Sequence, residues 1–157
     1  MGTLIKMVSV ARPRISFLQG NSISLTARAA CRCLDETGMD PGELGILINT
    51  GIYRHRNTGE PAIAALIQER MAAHRNLKVN SDYSANTFSF DLNNGGCGLL
   101  TGVEIINRMI SNNEISCGMI AAGDSEPFHG LSEQFSFNAA AGAIILSNSN
   151  DSPGFSM

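Results

Sequence analysis

Blocks of apolar and polar positions along the chain predict strands and helices in alternation. Short apolar runs predict strands at residues 4–10 with 15–18, 44–48, 88–92, 119–122 and 143–146. Apolar residues spaced three and four apart predict helices over 22–37, from Pro61 through Met71, and over 98–112. Gly38 is a natural stop for the first helix. The predicted element order is β-α-β-α-β-α-β-β.

This order indicates the fold class. Strands that alternate with helices form an α/β layer with a mostly parallel mixed sheet. A length of 157 residues is enough for one domain with a substantial core. We expect that domain to span residues 1–147, followed by a polar C-terminal tail over 148–157. The stretches 74–87 and 126–136 are polar and predict loops, the second with room for a short helix.

Composition narrows the function classes. Charged residues make up 16% of the chain, against about 25% in an average soluble domain, so we expect a partner to cover part of the surface. The net charge of -3 gives no basic field for nucleic acid or for an anionic membrane. No apolar run approaches the roughly 20 residues that span a bilayer. These features favour a cytoplasmic protein.

The four cysteines are Cys31, Cys33, Cys97 and Cys117. They form no CxxC pair and no cluster with zinc-ligand spacing, so we expect no metal and no cofactor. Free thiols fit a reducing cytoplasm. Cys31 and Cys33 are two residues apart on a predicted helix and should point to different faces. Cys117 begins an apolar run and should be a small core residue.

Cys97 has the most informative surroundings. The segment 89–102 reads SFDLNNGGCGLLTG, a strand followed by two glycines, the cysteine and a helical pattern. This order places the thiol at the start of a helix, where unpaired N–H groups and the helix dipole favour the thiolate. The pattern is typical of a cysteine nucleophile, whose own N–H can help to hold an oxyanion. The alternative is a structural cysteine beside a glycine turn.

Other residues suggest weaker hypotheses. Asp124 and Glu126 could act as a carboxylate pair or belong to a solvated loop. The run 54–56, Arg-His-Arg, could meet the phosphate of a coenzyme A or carrier-protein arm, or form a solvated or dimer-contact loop. We interpret the other two histidines, His74 and His129, like His55, as loop or helix-end residues.

Four segments together resemble the N-terminal half of a thiolase-fold condensing enzyme of the 3-oxoacyl-[acyl carrier protein] synthase III group. They are residues 27–50 (first helix and second strand), 90–98 (strand and cysteine elbow), 119–124 (the strand after the elbow helix) and 140–146 (the glycine-containing closing strand). The resemblance covers almost the whole chain in one consistent order.

The resemblance implies acyl transfer with Cys97 as the catalytic residue. In that family the matching cysteine takes an acyl group from a thioester of coenzyme A or acyl carrier protein. A malonyl thioester then decarboxylates and its carbanion attacks the acyl group. The histidine and asparagine that promote decarboxylation belong to a homologous C-terminal half, and no residue here matches them. Whether this chain is itself an enzyme therefore stays open.

The alternative is a non-catalytic partner subunit or interaction domain that keeps the thiolase fold. The glycine-rich elbow, where the family more often has alanines, and Glu60, at a position that is apolar in the fatty-acid enzymes, favour this alternative. A third possibility is an unrelated α/β binding domain. For a half-fold we expect a homodimer or a complementary C-terminal half, because the helix after Cys97 would otherwise expose apolar side chains.

Overall fold

The computed structural model describes residues 2–13, 21–53, 58–74, 87–125 and 139–149. Several predicted features lie outside these residues: the strand at 15–18, the Arg-His-Arg run, most of the loop at 74–87, the segment 126–136, and His129. His55 and Glu126 are also outside them.

Within these residues, five strands and three helices follow the predicted order. They are β1 (Gly2–Ala11), α1 (Ser22–Thr37), β2 (Ile46–Asn49), α2 (Ile63–His74), β3 (Phe88–Asp91), α3 (Gly98–Ser111), β4 (Cys117–Asp124) and β5 (Ala140–Ser149). The helix α1 has its predicted bounds, because Asn21 caps its first turn and Gly38 ends it in the left-handed conformation at φ 65°.

The strands form a single mixed sheet in the order β1-β5-β4-β2-β3. The strands β3, β2 and β4 are parallel neighbours. The strand β5 runs antiparallel to both β4 and β1. Four of the five strands therefore point the same way, and the mixed α/β fold class is confirmed.

Helices cover both faces of this sheet. The helices α1 and α2 pack on one face around Leu34, Leu47 and Ile67. The helix α3 packs on the other face, where Ile106 and Ile110 meet residues of β2, β4 and β5. Such burial on two sides explains why the first three residues of β2 are all apolar.

Two strands are at least twice as long as the apolar runs that predicted them. The strand β4 covers residues 117–124 and β5 covers 140–149, and they pair from Cys117↔Ser147 to Asp124↔Ala140. Alanine, glycine and serine at their ends carry little hydrophobic signal but fit a ladder of backbone hydrogen bonds. The boundary expected between residues 147 and 148 therefore falls inside β5, where Asn148 and Ser149 still pair with β1.

Cys31 and Cys33 lie two residues apart on α1, in the helix that the sequence predicts. Both side chains are buried, and the Cys33 thiol lies 3.4 Å from the carbonyl oxygen of Ala143. The helix α1 contacts the sheet on one side and α2 on another, so most of its circumference is covered. Cys117 is a buried core residue, as predicted.

The helix α3 is covered on one face only, not on several sides. Its buried residues are Gly98, Gly102, Ile106, Asn107 and Ile110. Leu99 is 42% exposed and Leu100 is 70% exposed. Among the described residues, no helix is long and apolar enough to cross a bilayer.

The sheet surface that carries α3 also exposes apolar side chains. Ile5 and Val8 of β1 pair with Leu146 and Ile144, which belong to the α3 side of the sheet. We call the exposed apolar set on this side the α3 face: Ile5, Val8, Val10, Phe88, Leu99 and Leu100. This exposure agrees with the expectation for a half-fold.

Candidate active site

Cys97 lies where β3 leads into α3. After Asp91 the chain runs through Leu92–Asn94, and a single 3-10 turn, Gly95–Cys97, then precedes the helix. The thiol is exposed. The carboxyl ends of β3, β2 and β4 meet at this edge of the sheet, because the three strands are parallel neighbours. Open α/β sheets bind ligands at this edge.

Two glycines shape the elbow for different reasons. Gly95 has φ +47°, a left-handed conformation that strains residues with a side chain. Gly98 lets α3 approach β2, because a Cβ at Gly98 would lie 3.2 Å from Cβ of Thr50. The sequence pattern thus holds the start of α3 directly against the end of β2.

The backbone of the elbow is already hydrogen-bonded, contrary to the expectation of unpaired N–H groups. The Cys97 N–H donates to the Asn94 carbonyl oxygen at 3.0 Å. The Gly98 N–H donates to the Gly95 carbonyl oxygen. The 3-10 turn takes up these donors, so the Cys97 N–H is not available to an oxyanion in this conformation.

Side chains reinforce the same turn. The Thr101 hydroxyl donates to the Cys97 carbonyl oxygen at 3.2 Å, and the Asn94 amide donates to that hydroxyl at 2.9 Å. Asn94 and Thr101 therefore link the segment before the thiol to the first turn of α3. The position of Cys97 is fixed from both sides.

An open cleft of about 220 Å³ adjoins the elbow. Its lining residues are Thr50, Gly51, Ile52, Leu92, Asn93, Asn94 and Gly95. One wall consists of the residues that come directly after β2, and the other consists of those that come directly after β3. The cleft therefore lies between the ends of these two strands. Thr50 belongs to the cleft wall and also contacts the start of α3, which connects the cleft to the cysteine elbow.

Asp91 is a residue that the sequence reasoning missed. Its carboxylate accepts hydrogen bonds from the N–H groups of Ile63 and Ala64, each at 2.8 Å, and from the Asn49 amide at 3.1 Å. The Asn49 carbonyl oxygen Oδ1 accepts from the Gly51 N–H at 3.3 Å. An acidic residue at the end of an apolar strand is the only sequence signal for this arrangement.

The remaining candidates do not gather around Cys97 in the described part of the chain. Asp124 accepts a hydrogen bond from the Tyr53 N–H at 2.8 Å and so anchors the loop after β2. His74 is the last residue of α2, a helix end as predicted.

The other thiols have a different character. Burial raises the pKa of the Cys33 thiol and the pKa of the Cys117 thiol. The Cys117 thiol also lies 3.0 Å from the Glu43 carbonyl oxygen. These buried thiols stay protonated and inert at neutral pH, whereas Cys97 faces solvent.

Comparison with known proteins gives one relative by sequence and many by structure. The chain is 32% identical over 126 residues to an acyl-CoA:acyl-CoA alkyltransferase of Shewanella oneidensis. This alignment covers 80% of the chain but only 32% of the relative, so the chain spans about a third of that protein. No family model matches the sequence.

The similar solved structures include OleA, a 3-oxoacyl-(acyl carrier protein) synthase III and a β-ketosynthase. OleA of Xanthomonas campestris, solved with bound lauric acid and lauroyl-CoA, has a TM-score of 0.71 at 13% identity, covering 94% of this chain and 56% of OleA. The 3-oxoacyl-(acyl carrier protein) synthase III of Xanthomonas oryzae has a TM-score of 0.70 at 13% identity, with the same coverage of 94% and 56%. A priming β-ketosynthase of a polyketide pathway has a TM-score of 0.73 at 16% identity, covering 96% and 51%.

These similarities agree with the observed mixed α/β fold. The matches extend over nearly all of this chain and over about half of each solved chain. The resemblance inferred from the sequence is confirmed: the chain has the fold of one half of a thiolase-fold condensing enzyme of the synthase III type.

Proposed function

We propose that this chain is the acyl-accepting part of a condensing acyltransferase, with Cys97 as its nucleophile. The observation that supports this most directly is the exposed Cys97 thiol at the junction of β3 and α3, beside the cleft between the ends of β2 and β3. Cys31, Cys33 and Cys117 are buried. A thioester can reach Cys97 from solvent.

The proposed step is a thioester exchange. The Cys97 thiolate attacks the carbonyl carbon of an acyl thioester, and a new C–S bond forms. The bond to the original sulfur then breaks, and that sulfur leaves as the thiolate of coenzyme A or of a carrier-protein arm. The proton released from Cys97 ends on the departing thiol or in solvent. The acyl chain remains attached to Cys97.

The experiment is to incubate the full chain with acetyl-CoA, octanoyl-CoA and lauroyl-CoA and to map acyl adducts by mass spectrometry. We expect an adduct on the peptide that contains Cys97 and on no other cysteine peptide. Cys97→Ser is the matched control, because it keeps the size of the side chain and should abolish the thioester adduct. No adduct with any donor would refute the nucleophile.

A second candidate function is a non-catalytic partner that keeps the fold without turnover. The observation in its favour is the paired Cys97 N–H, which donates to Asn94 and leaves the elbow without its expected oxyanion donor. An intact Cys97 that alkylates with iodoacetamide but never accepts an acyl group would support this second function.

We also propose that a second half-domain covers the α3 face, either another copy of this chain or a complementary half. The support is the set of exposed apolar side chains, among which Leu100 is 70% exposed beside the candidate nucleophile. Sedimentation of the purified chain distinguishes a homodimer from a monomer that needs another half. A monomer that shows no binding to a supplied C-terminal half would contradict both alternatives, a second copy of this chain and a complementary half.

A further inference from the structure

Asp91 occupies a junction of three elements next to the cleft. It is the last residue of β3, and its carboxylate holds the first N–H groups of α2 and the side chain of Asn49, the last residue of β2. The two strands are in register at this pair. A carboxylate suits this place because N–H groups at a helix start have no partner in the helix and the helix dipole favours negative charge.

Both walls of the cleft begin at the Asn49–Asp91 pair. The wall from β2 starts at Thr50, and the Asn49 side chain holds the next residue through the Gly51 N–H. The wall from β3 starts at Leu92, whose N–H donates to the backbone carbonyl oxygen of Asn49 at 2.8 Å. A shift of this pair therefore moves both walls of the cleft.

The Asn49–Asp91 pair also connects to the segments on both sides of the Cys97 thiol. Only five residues separate Asp91 from Cys97, and Asn94 among them accepts the Cys97 N–H. On the β2 side, Thr50 contacts the start of α3 at Gly98. The elbow is thus held from both strands, and the two strands are joined by the Asn49–Asp91 hydrogen bond.

We infer that Asp91, supported by Asn49, is a positioning residue for acyl transfer to Cys97. This inference rests on the proposed function. Asp91 is not among the residues that line the cleft, and it acts by fixing the segments that lead to the cleft and to the thiol. A displacement of about 1 Å in a reacting group is enough to slow a reaction roughly 100-fold.

The test uses Asp91→Asn in the full chain. An asparagine oxygen can keep two of the three donors, but its NH₂ group then faces the Ile63 N–H, and one hydrogen bond is lost. We expect the rate of Cys97 acylation at saturating octanoyl-CoA to fall by about 10-fold to 100-fold, with little change in the half-saturating concentration. Alkylation by iodoacetamide should change less than twofold, since the thiol stays exposed.

Two further variants separate positioning from general destabilisation. Asn49→Ala removes the side-chain hydrogen bond between the two strands while leaving the Asp91 bonds to α2, and it serves if Asp91→Asn does not fold. Asp40→Ala removes a carboxylate that accepts from the Gly42 N–H at 2.8 Å, at the opposite end of β2. Asp40→Ala should lower thermal stability without lowering the saturating acylation rate.

The outcomes are distinguishable. An acylated parent with slow Asp91→Asn and Asn49→Ala variants supports the inference. An acylated parent whose variants react within twofold of it, or an Asp40→Ala variant that slows equally, overturns the inference alone. A parent that no acyl-CoA modifies overturns the proposed function and this inference with it.

Discussion

The three glycines around Cys97 carry different constraints, so alanine at each position should give a different result. At Gly95 the φ of +47° strains an alanine by about 1–2 kcal/mol. Alanine also restricts the unfolded chain, which returns about 0.4–1 kcal/mol. We expect Gly95→Ala to lower the free energy of unfolding by about 1 kcal/mol.

Gly96 provides the matched comparison. It is not among the glycines with positive φ, and no heavy atom lies within 4 Å of an added Cβ. Only the effect on the unfolded chain remains, so Gly96→Ala should raise the free energy of unfolding by about 0.4–1 kcal/mol.

At Gly98 the constraint is steric. The added Cβ would lie 3.2 Å from Cβ of Thr50, which is buried and whose N–H is bonded to the Ala121 carbonyl oxygen at 2.9 Å. Overpacking of this kind costs about 1–3 kcal/mol, and the better helix propensity of alanine offsets about 0.5–1 kcal/mol. We expect Gly98→Ala to be destabilised by about 0.5–2 kcal/mol.

Urea unfolding of the full chain, followed by circular dichroism, measures all three changes in free energy. A Gly96→Ala variant that loses as much stability as Gly95→Ala would refute the elbow geometry. A Gly98→Ala variant more stable than the parent would refute the close approach of α3 to Thr50. As a control, the slope of the free energy of unfolding against urea concentration should be the same for the parent and each variant, which shows that all unfold in the same way.

Three further predictions concern the thiols and the α3 face. Iodoacetamide should modify Cys97 before Cys33 or Cys117 in the native protein, because only Cys97 is exposed, and peptide mapping that finds Cys33 first would contradict this. Above about pH 9 the unfolded chain releases the Cys33 proton while the folded chain retains it, because burial raises the pKa of that thiol. The free energy of unfolding should then fall by up to about 1.4 kcal/mol per pH unit for this group, and equal slopes for the parent and Cys33→Ala in urea titrations would exclude the effect. Leu100→Ser or Val8→Ser should raise the dissociation constant of a dimer about tenfold in sedimentation, and unchanged association would argue against the α3 face as the contact.

The order of the helices and strands could be predicted from the sequence because each element has its own local pattern. The helix α1 was predicted to the residue, since Gly38 marks its end. The strands β4 and β5 were underestimated, because Ala140–Gly142 and Gly123 look unremarkable in a hydrophobic pattern. Their extent is set by pairing with each other, which no local pattern contains.

The candidate site could be predicted only in part, because local patterns do not contain contacts between distant residues. The order of strand, glycines, cysteine and helix predicted where Cys97 lies. It did not predict that the Cys97 N–H pairs with Asn94, because that depends on the 3-10 turn the glycines adopt. Nor did it predict the role of Asp91, whose partners Asn49 and Ile63 lie 42 and 28 residues away in sequence.

Cys97 directly precedes α3, and α3 carries two residues of the α3 face, which links the two parts of the proposal. Leu99 and Leu100 follow Cys97 by two and three residues, so a partner that covers them also encloses the surroundings of the thiol. Enclosure removes water that would hydrolyse an acyl thioester and strengthens electrostatic interactions at the reacting carbonyl. It can also supply the oxyanion donors that the paired Cys97 N–H does not provide. Under the proposed function, this chain carries the acyl group, and whatever covers the α3 face protects that group and uses it.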